Sequence, residues 1–457
     1  MTRGPIPAGR VFVAERLVRP AQAFVHAEAS GGIVLLVAAL IALAWANSPW
    51  DAAYHDLWHA RLRFDFNLVT VDDTLGHLVN DGLMTIFFFV AGLEIKRELL
   101  HGELASPRRA ALPVAAALGG MVVPAGIYAA FNAGSESAHG WGIPMATDIA
   151  FSLGVLALLG RRAPFNVKVF LLALAIVDDL GAIAVIAVFY TESVSMAALG
   201  WAGAATGGVL VARRAGVANL ALYVALGAAL WLAVYSSGVH ATLAGVVLAV
   251  LTPATAVFQR ERFEGSAGEL LARFRAARSS GDAEAQQATL GEFERLVRGS
   301  EAPLTRLERG LHPWVSYLVV PVFALANAGV PISRDALSEA ATSGVTAGVA
   351  LGLVLGKPVG ILLFSWLAVR FGIATLPANV RMLHVAGVGL LAGIGFTVSL
   401  FVTGLAFTSE AVEQQAKMGI LGASAVAGVL GYFYLWFAPG DPAPAEEAAV
   451  AGRSATA

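Results

Sequence analysis

Three carboxylates, a hydroxyl and an ammonium group stand out because each falls inside an apolar run. Ala146-Thr147-Asp148-Ile149-Ala150 sets a hydroxyl beside a carboxylate, Ile176-Val177-Asp178-Asp179-Leu180 sets two carboxylates side by side, and Gly356-Lys357-Pro358 supplies a cation. An ionisable side chain at the centre of a bilayer costs at least a few kcal/mol, so each is a functional candidate by default. Carboxylate and hydroxyl oxygens are hard ligands, suited to small hard cations and unsuited to soft metals. Neighbouring carboxylates in a low dielectric cannot all ionise cheaply, so they take up and release protons as a coupled set. A cation that needs the deprotonated carboxylates then competes with protons for the same oxygens, and competition combined with alternating access gives exchange. Adjacent helix positions point about 100° apart, so Asp178 and Asp179 cannot face one small ion in the same way. One binds while the other pairs with a neighbour, and Lys357 is a candidate counter-charge.

Only apolar helices can carry such groups to that depth. The 457 residues are 57% hydrophobic and 14% charged, against about a quarter charged in an ordinary globular chain. Apolar stretches long enough to cross a bilayer recur along nearly the whole chain, which points to an all-α polytopic membrane protein rather than a β-barrel. Candidate spans centre near Leu36, Phe88, Leu118, Phe151, Ile176, Gly203, Leu226, Ala244, Phe323, Val354, Leu391 and Ala427, about twelve transmembrane helices by hydropathy. With a cytoplasmic N-terminus, the inside gaps hold Lys96, Arg97, Arg108 and Arg109, then Arg161, Arg162 and Lys168, then Arg213 and Arg214, then Arg370 and Arg381. The outside gaps near Gly134, Glu192, Ser237 and Glu410 are nearly free of basic residues, so both termini are expected in the cytoplasm. The first apolar stretch, Gly31 to Ala46, has no convincing cleavage site after it and reads as a retained span. A net charge of -2 gives no reason to expect nucleic acid as a partner. The absence of cysteine excludes disulfides, thiolate metal sites and a cysteine nucleophile, and nothing calls for a cofactor.

Two of these spans are poor continuous helices. Gly142, Pro144 and Thr147 interrupt the fourth, and Gly387, Gly389, Gly393, Gly395, Thr397 and Ser399 crowd the eleventh. Unwound backbone at membrane depth is tolerated only where protein or a cavity lines it, and paired broken helices point to a transport site. Two broken, crossing helices bring like dipole ends together, which Asp148 at the N-terminal ends and Lys357 at the C-terminal ends would offset.

Around the membrane domain, residues 31–438, lie three polar pieces and a tail. Residues 1–30 are expected as a cytoplasmic N-terminal interfacial segment, with Arg16 and Arg19 punctuating an apolar series. The external segment 48–77 contains Arg61-Leu62-Arg63-Phe64-Asp65-Phe66, whose period of two reads as a hairpin strand. An isolated hairpin is marginal in water, so a homodimer paired through it is one way to satisfy its edge. The cytoplasmic insert 259–309 reads as one or two surface helices, and the Ala/Pro/Glu-rich tail 439–457 as disordered.

Taken together, these residues resemble the NhaA family of sodium/proton antiporters. The likeness runs from about Gly31 to Phe437. It passes through Asn80-Asp81-Gly82-Leu83-Met84, Gly92-Leu93-Glu94-Ile95-Lys96-Arg97-Glu98-Leu99, the two aspartate motifs, Ser237-Gly238-Val239-His240-Ala241-Thr242, Gly356-Lys357-Pro358 and Gly393-Ile394-Gly395-Phe396-Thr397. The resemblance implies about twelve spans with inverted repeats in the inner membrane of a bacterium. It implies a cation and proton site of Asp178, Asp179, Thr147 and Asp148, with Asp179 as principal ligand of sodium or lithium and Thr147 and Asp148 contributed by the broken helix. Lys357 matches the family's lysine, whose partner is open between Asp178 and Asp148. It further implies electrogenic extrusion of sodium or lithium, driven by entering protons and switched on as pH rises.

The family's pH response maps onto Glu94, Glu98, Glu308 and His312, and onto His240. Glu94 and Glu98, with Lys96 and Arg97, also read as a solvated helix end. Arg309 stands where a histidine is common, and arginine does not titrate near neutrality. Asp81 matches a family motif, although Asn80 and Asp81 would equally cap a helix. Two other classes are weighed against exchange. A sodium-coupled symporter for an organic anion would need fewer mid-membrane carboxylates. An intramembrane aspartyl protease would need a Gly-x-Gly-Asp motif, and Gly393-Ile394-Gly395-Phe396 has phenylalanine at the acid's position.

Overall fold

The computed structural model describes residues 28–65, 70–191, 194–217, 219–256 and 260–438. The expected interfacial segment up to residue 27, the hairpin tip and the tail from residue 439 lie outside the described residues. Helices dominate because backbone surrounded by lipid must satisfy its own hydrogen bonds. In order, the chain forms α1 (Glu28–Ala46), α2 (Asp51–His59), strands β1 (Arg61–Asp65) and β2 (Thr70–Thr74), α3 (Leu75–His101), α4 (Pro107–Asn132), a 3₁₀ segment (Glu136–Met145), α5 (Ile149–Leu158) and α6 (Phe165–Phe189). There follow α7 (Met196–Arg214), α8 (Leu220–Tyr235), α9 (Leu243–Leu251), α10 (Arg260–Ser280), α11 (Ala283–Ser300), α12 (Pro303–Trp314) and α13 (Val320–Asn327). The last are α14 (Arg334–Thr342), α15 (Gly344–Arg370), α16 (Met382–Ala392), α17 (Phe396–Ala406) and α18 (Glu410–Phe437).

Each expected span centre, from Leu36 to Ala427, falls inside one of these helices or inside the π-turn of α15. Five helices are long and apolar enough to cross a membrane alone, namely α3, α4, α6, α15 and α18, and three bent pairs raise that number to at most 8 among the described residues. The rest are short or interrupted: α9 has 9 residues, and α1 turns by 113° into α2. The segment expected as a hairpin forms antiparallel β1 and β2, with Leu62 opposite Asp73 and Phe64 opposite Val71. In the insert, α10 and α11 pack together and are joined by an Arg273–Glu292 ion pair at 2.7 Å.

The chain divides into two compact units. The first comprises residues 1–84, 103–192 and 316–457, and the second 85–102 and 193–315. In the first, α4 and α15 pack backbone against backbone. A Cβ built on Gly119 would fall against the Gly360 carbonyl, and one on Gly360 against the Gly119 carbonyl. Only glycine at both positions lets the two helices touch. A π-turn at Gly352–Gly356 precedes Lys357, and a Cβ on Gly356 would lie 2.9 Å from Pro124 Cα. The seam thus fixes the depth and direction of Lys357, which is fully buried.

Gly360→Ala should therefore lower the thermal midpoint and the monodisperse fraction of purified protein. Overpacking against immovable backbone costs about 1–3 kcal/mol or more. Gly126→Ala, on the same α4 but with open space around it, should leave both unchanged or slightly improved.

Candidate functional site

Both spans expected to be broken are broken, and they cross. The 3₁₀ segment ends at Met145, residues 146–148 are extended, and α5 leaves at 41°; α16 and α17 are bent by 48° at residues 393–395. The two breaks satisfy one another. Asp148 N–H donates to Ile394 O at 2.7 Å, Thr147 Oγ1 to Ala392 O at 3.0 Å, Ser152 Oγ to Leu391 O at 2.8 Å, and Ser399 Oγ to Ile143 O at 2.8 Å. Backbone groups freed at membrane depth thus find protein partners rather than lipid. Gly395 permits the crossing, since a Cβ there would meet Ser399 Oγ, Leu353 and the Ala146 carbonyl.

Asp148 sits between two helix N-termini. Its Oδ1 accepts from Phe151 N–H at 2.9 Å, capping α5. Its Oδ2 accepts from Thr397 N–H at 3.1 Å and Thr397 Oγ1 at 2.6 Å, at the start of α17. A buried carboxylate in that position offsets the partial positive charge of both ends.

Lys357 enters the crossing from α15. Its Nζ donates to Asp178 Oδ2 at 2.6 Å and to Thr147 Oγ1 at 2.8 Å. Of the two partners left open by sequence, the lysine therefore holds Asp178. It reaches the C-terminal end of α16 through Thr147, whose hydroxyl proton goes to Ala392 O. The pair is almost wholly removed from solvent, with the lysine side chain 0% and the aspartate 1% exposed. Asp178 Oδ1 is also buried and has no hydrogen-bond partner among the described residues. Asp179 is buried on the neighbouring face of α6. No three His, Asp or Glu side chains among the described residues are grouped closely enough to cage a metal ion.

The other sequence candidates lie elsewhere. In the second unit, Arg97 forms an ion pair with Glu308 and contacts Glu98 at 3.3 Å and Glu94 at 3.9 Å. Glu308 Oε2 is buried without a hydrogen-bond partner among the described residues. His312, one turn along α12, is within electrostatic reach of Arg97. These residues form a cross-linked cluster rather than a solvated helix end. Arg309 is not part of it, because its guanidinium binds Glu301 at 2.8 Å. His240 lies before α9, whereas Lys96 binds the carbonyls of Val250 and Thr252 at the far end of that helix. Asp81 lies in a π-turn, Val79–Leu83, inside α3. The capping reading of Asn80 and Asp81 does not hold, because Thr74 caps α3 by accepting from His77 N–H at 3.2 Å. Asn80 instead exchanges amide hydrogen bonds with Asn327, at 2.8 and 3.4 Å.

The sequence profile of a family described as Na+/H+ antiporter 1 matches residues 22–435. The chain belongs to that family. Among its relatives, a protein named Na(+)/H(+) antiporter NhaA from Oleidesulfovibrio alaskensis is 47% identical over 95% of this chain and 97% of its own length. One named NhaA 2 from Sorangium cellulosum is 46% identical over 91% of this chain and 90% of its own length, and one from Rhodopirellula baltica 45% over 96% and 98%. As a family member the chain is a multi-pass membrane protein and not an enzyme in the usual sense.

Sequence reasoning on this antiporter-family chain missed two tyrosines. Tyr190, at the end of α6, accepts from Gly142 N–H at 3.2 Å and donates to His139 O at 2.8 Å. Tyr128, on α4, donates to Ser137 O at 2.8 Å. Together they pin the 3₁₀ segment that leads into Thr147 and Asp148. No sequence signal separates them from aromatic residues at a membrane interface, because their partners are main-chain atoms. Tyr190→Phe would strand the buried Gly142 N–H, a loss of about 1–3 kcal/mol. The thermal midpoint of purified protein should fall accordingly. Tyr223→Phe, which loses one bond to Val217 O, should change it less.

Proposed function

We propose that the chain is a secondary antiporter that exchanges sodium or lithium for protons at Asp178 and Asp179. The observation that carries this reading is the buried Lys357–Asp178 contact, placed with Thr147 where two broken helices cross. The lysine's ammonium, a hard cation and a proton can each neutralise the same carboxylates, and they exclude one another. A cation arriving between Asp178 and Asp179 takes oxygens from both, with Thr147, main-chain carbonyls and water completing its shell. Lys357 then lets go of Asp178 and returns when the cation leaves. Asp179 serves as the principal ligand, and Asp148 stays out of the exchange as the fixed charge between helix N-termini. Three aspartates at this depth would repel an organic anion, which disfavours the symporter reading.

The wider frame belongs to the same reading: about twelve spans in inverted repeats, both termini in the cytoplasm, residence in a bacterial inner membrane, and alternating access to the crossing. A homodimer would pair through β1 and β2. Exchange of more than one proton per cation moves net charge, so the membrane potential supplies about 2.3 kcal/mol per 100 mV for each elementary charge. The cell gains sodium extrusion and pH homeostasis. The cluster of Glu94, Glu98, Glu308 and His312 serves as pH sensor, with His240 contributing from before the start of α9 and Asp81 from the outer part of α3.

Everted membrane vesicles carrying a pH-sensitive dye, acidified inside by respiration, test this directly. Sodium and lithium, but not potassium, should dissipate the gradient. Asp179→Asn should be silent while inserted normally, because the amide keeps the shape and loses both charge and titratability. Normal sodium-dependent proton flux in that variant would refute the site assignment. Direct competition also predicts that the sodium concentration for half-maximal flux rises about tenfold per unit of acidification where one proton is displaced. A half-saturation independent of pH would mean that sodium and protons use separate sites.

A further inference from the structure

An apolar groove of about 490 Å³ lies between α16 and α18, lined by Leu383, Leu390, Leu430, Phe433, Tyr434 and Phe437. The two helices run antiparallel and close. A Cβ on Gly387 would strike Leu435, and one on Gly431 would lie 2.6 Å from Leu391. From Leu383 to Leu390 the groove extends roughly 10 Å along the helix, most of the ~15 Å depth of one leaflet's hydrocarbon. Its walls face outward, Phe433 being 55% and Phe437 81% exposed.

Apolarity alone would suit any acyl chain, but two arginines stand in the segments next to one end of this groove. Arg162 lies 4.0 Å over the Trp436 ring and donates to Trp436 O at 3.2 Å, which holds its guanidinium beside the end of α18. Arg381 is the residue before α16, two positions from Leu383. Tyr432 and Trp436, with rings 5.7 Å apart, mark this end as the level of the lipid headgroups, where such aromatics collect. A guanidinium fork matches a phosphate better than it matches a zwitterionic headgroup whose own amine competes. We propose that the groove binds one anionic phospholipid, its acyl chain between α16 and α18 and its phosphate at Arg162 and Arg381. Because α16 is one half of a crossing helix, a lipid seated here touches the element that carries the Ala392 carbonyl.

Native mass spectrometry of delipidated, detergent-purified protein tests the site, using phosphatidylglycerol and phosphatidylcholine with identical acyl chains. The wild type should retain phosphatidylglycerol over phosphatidylcholine by about 10-fold or more, near the gain of two basic residues at an anionic headgroup. Arg162→Gln with Arg381→Gln should bring the two lipids to parity. Leu430→Trp, which fills the groove and leaves both arginines in place, should abolish the selective retention and decides the matter should the double variant fail to fold. Equal retention by the wild type overturns the proposal in favour of bulk lipid contact. Selectivity that survives in the double variant or in Leu430→Trp places the anionic lipid elsewhere. A dimer lost in Leu430→Trp with lipid retention unchanged would give the groove to a second copy of the chain.

Discussion

A buried ion pair between Lys357 and Asp178 is the constraint on which the first unit depends. Taking an ammonium and a carboxylate out of water costs several kcal/mol per ion, and their attraction repays this only at excellent geometry with further hydrogen bonds. The 2.6 Å contact, with Thr147 Oγ1 as second acceptor, meets that condition on the lysine's side only, since Asp178 Oδ1 has no hydrogen-bond partner among the described residues. Removing one partner of such a pair typically costs 3–5 kcal/mol, because the other charge is left uncompensated. In the proposed exchange the same arithmetic makes the pair a switch: a cation or proton that neutralises Asp178 displaces the lysine, so the load and the lysine report on each other.

The surroundings follow from the need to hold that pair at a fixed depth while leaving it exchangeable. Glycines 119 and 360 let α4 and α15 meet backbone to backbone, which leaves the stem of Lys357 no room to wander; its Cδ lies 3.6 Å from where a Cβ on Gly120 would sit. The crossing supplies polarity without mobile charge. Its helix ends present Asp148 with N–H groups and Thr147 with a carbonyl, so the site is lined by fixed dipoles that need not reorganise when an ion arrives. Asp178 Oδ1, buried and without a hydrogen-bond partner among the described residues, is left open to such an ion in the proposed exchange.

The chemistry of this site was legible in the sequence because charge in an apolar run is expensive and therefore conspicuous. The breaks were legible for a similar reason, since glycine, proline and hydroxyl residues crowded beside acids make poor helix. What sequence left open was pairing. Lys357 and Asp178 are 179 positions apart, and nothing local says that the lysine prefers Asp178 to Asp148. The choice is made by Thr397, 249 positions from Asp148, whose hydroxyl and N–H occupy Asp148 Oδ2. In sequence Thr397 is a residue unsuited to a helix and the end of a family motif, with nothing to link it to Asp148. The tyrosines on the 3₁₀ segment were missed because main-chain acceptors leave no trace in sequence. Asn80 was misassigned because a polar pair near a helix start reads as a cap, whereas its partner, Asn327, lies 247 positions away.

The second unit turns on a different use of charge. Arg97 is shared by three glutamates, Glu94, Glu98 and Glu308, so one fixed positive charge faces up to three negative ones and the balance rests on protons. Arg309 follows Glu308 directly in the chain but does not supply it with a second cation. It is drawn instead to Glu301, just past α11, and so ties the end of α11 to α12 without neutralising the cluster. Arg309 therefore leaves the excess of acid around Arg97 intact. If the cluster senses pH as proposed, its response rests on Glu94, Glu98, Glu308 and His312, and Arg309 contributes a mechanical tether from the end of α11 to α12 in place of a proton-binding group.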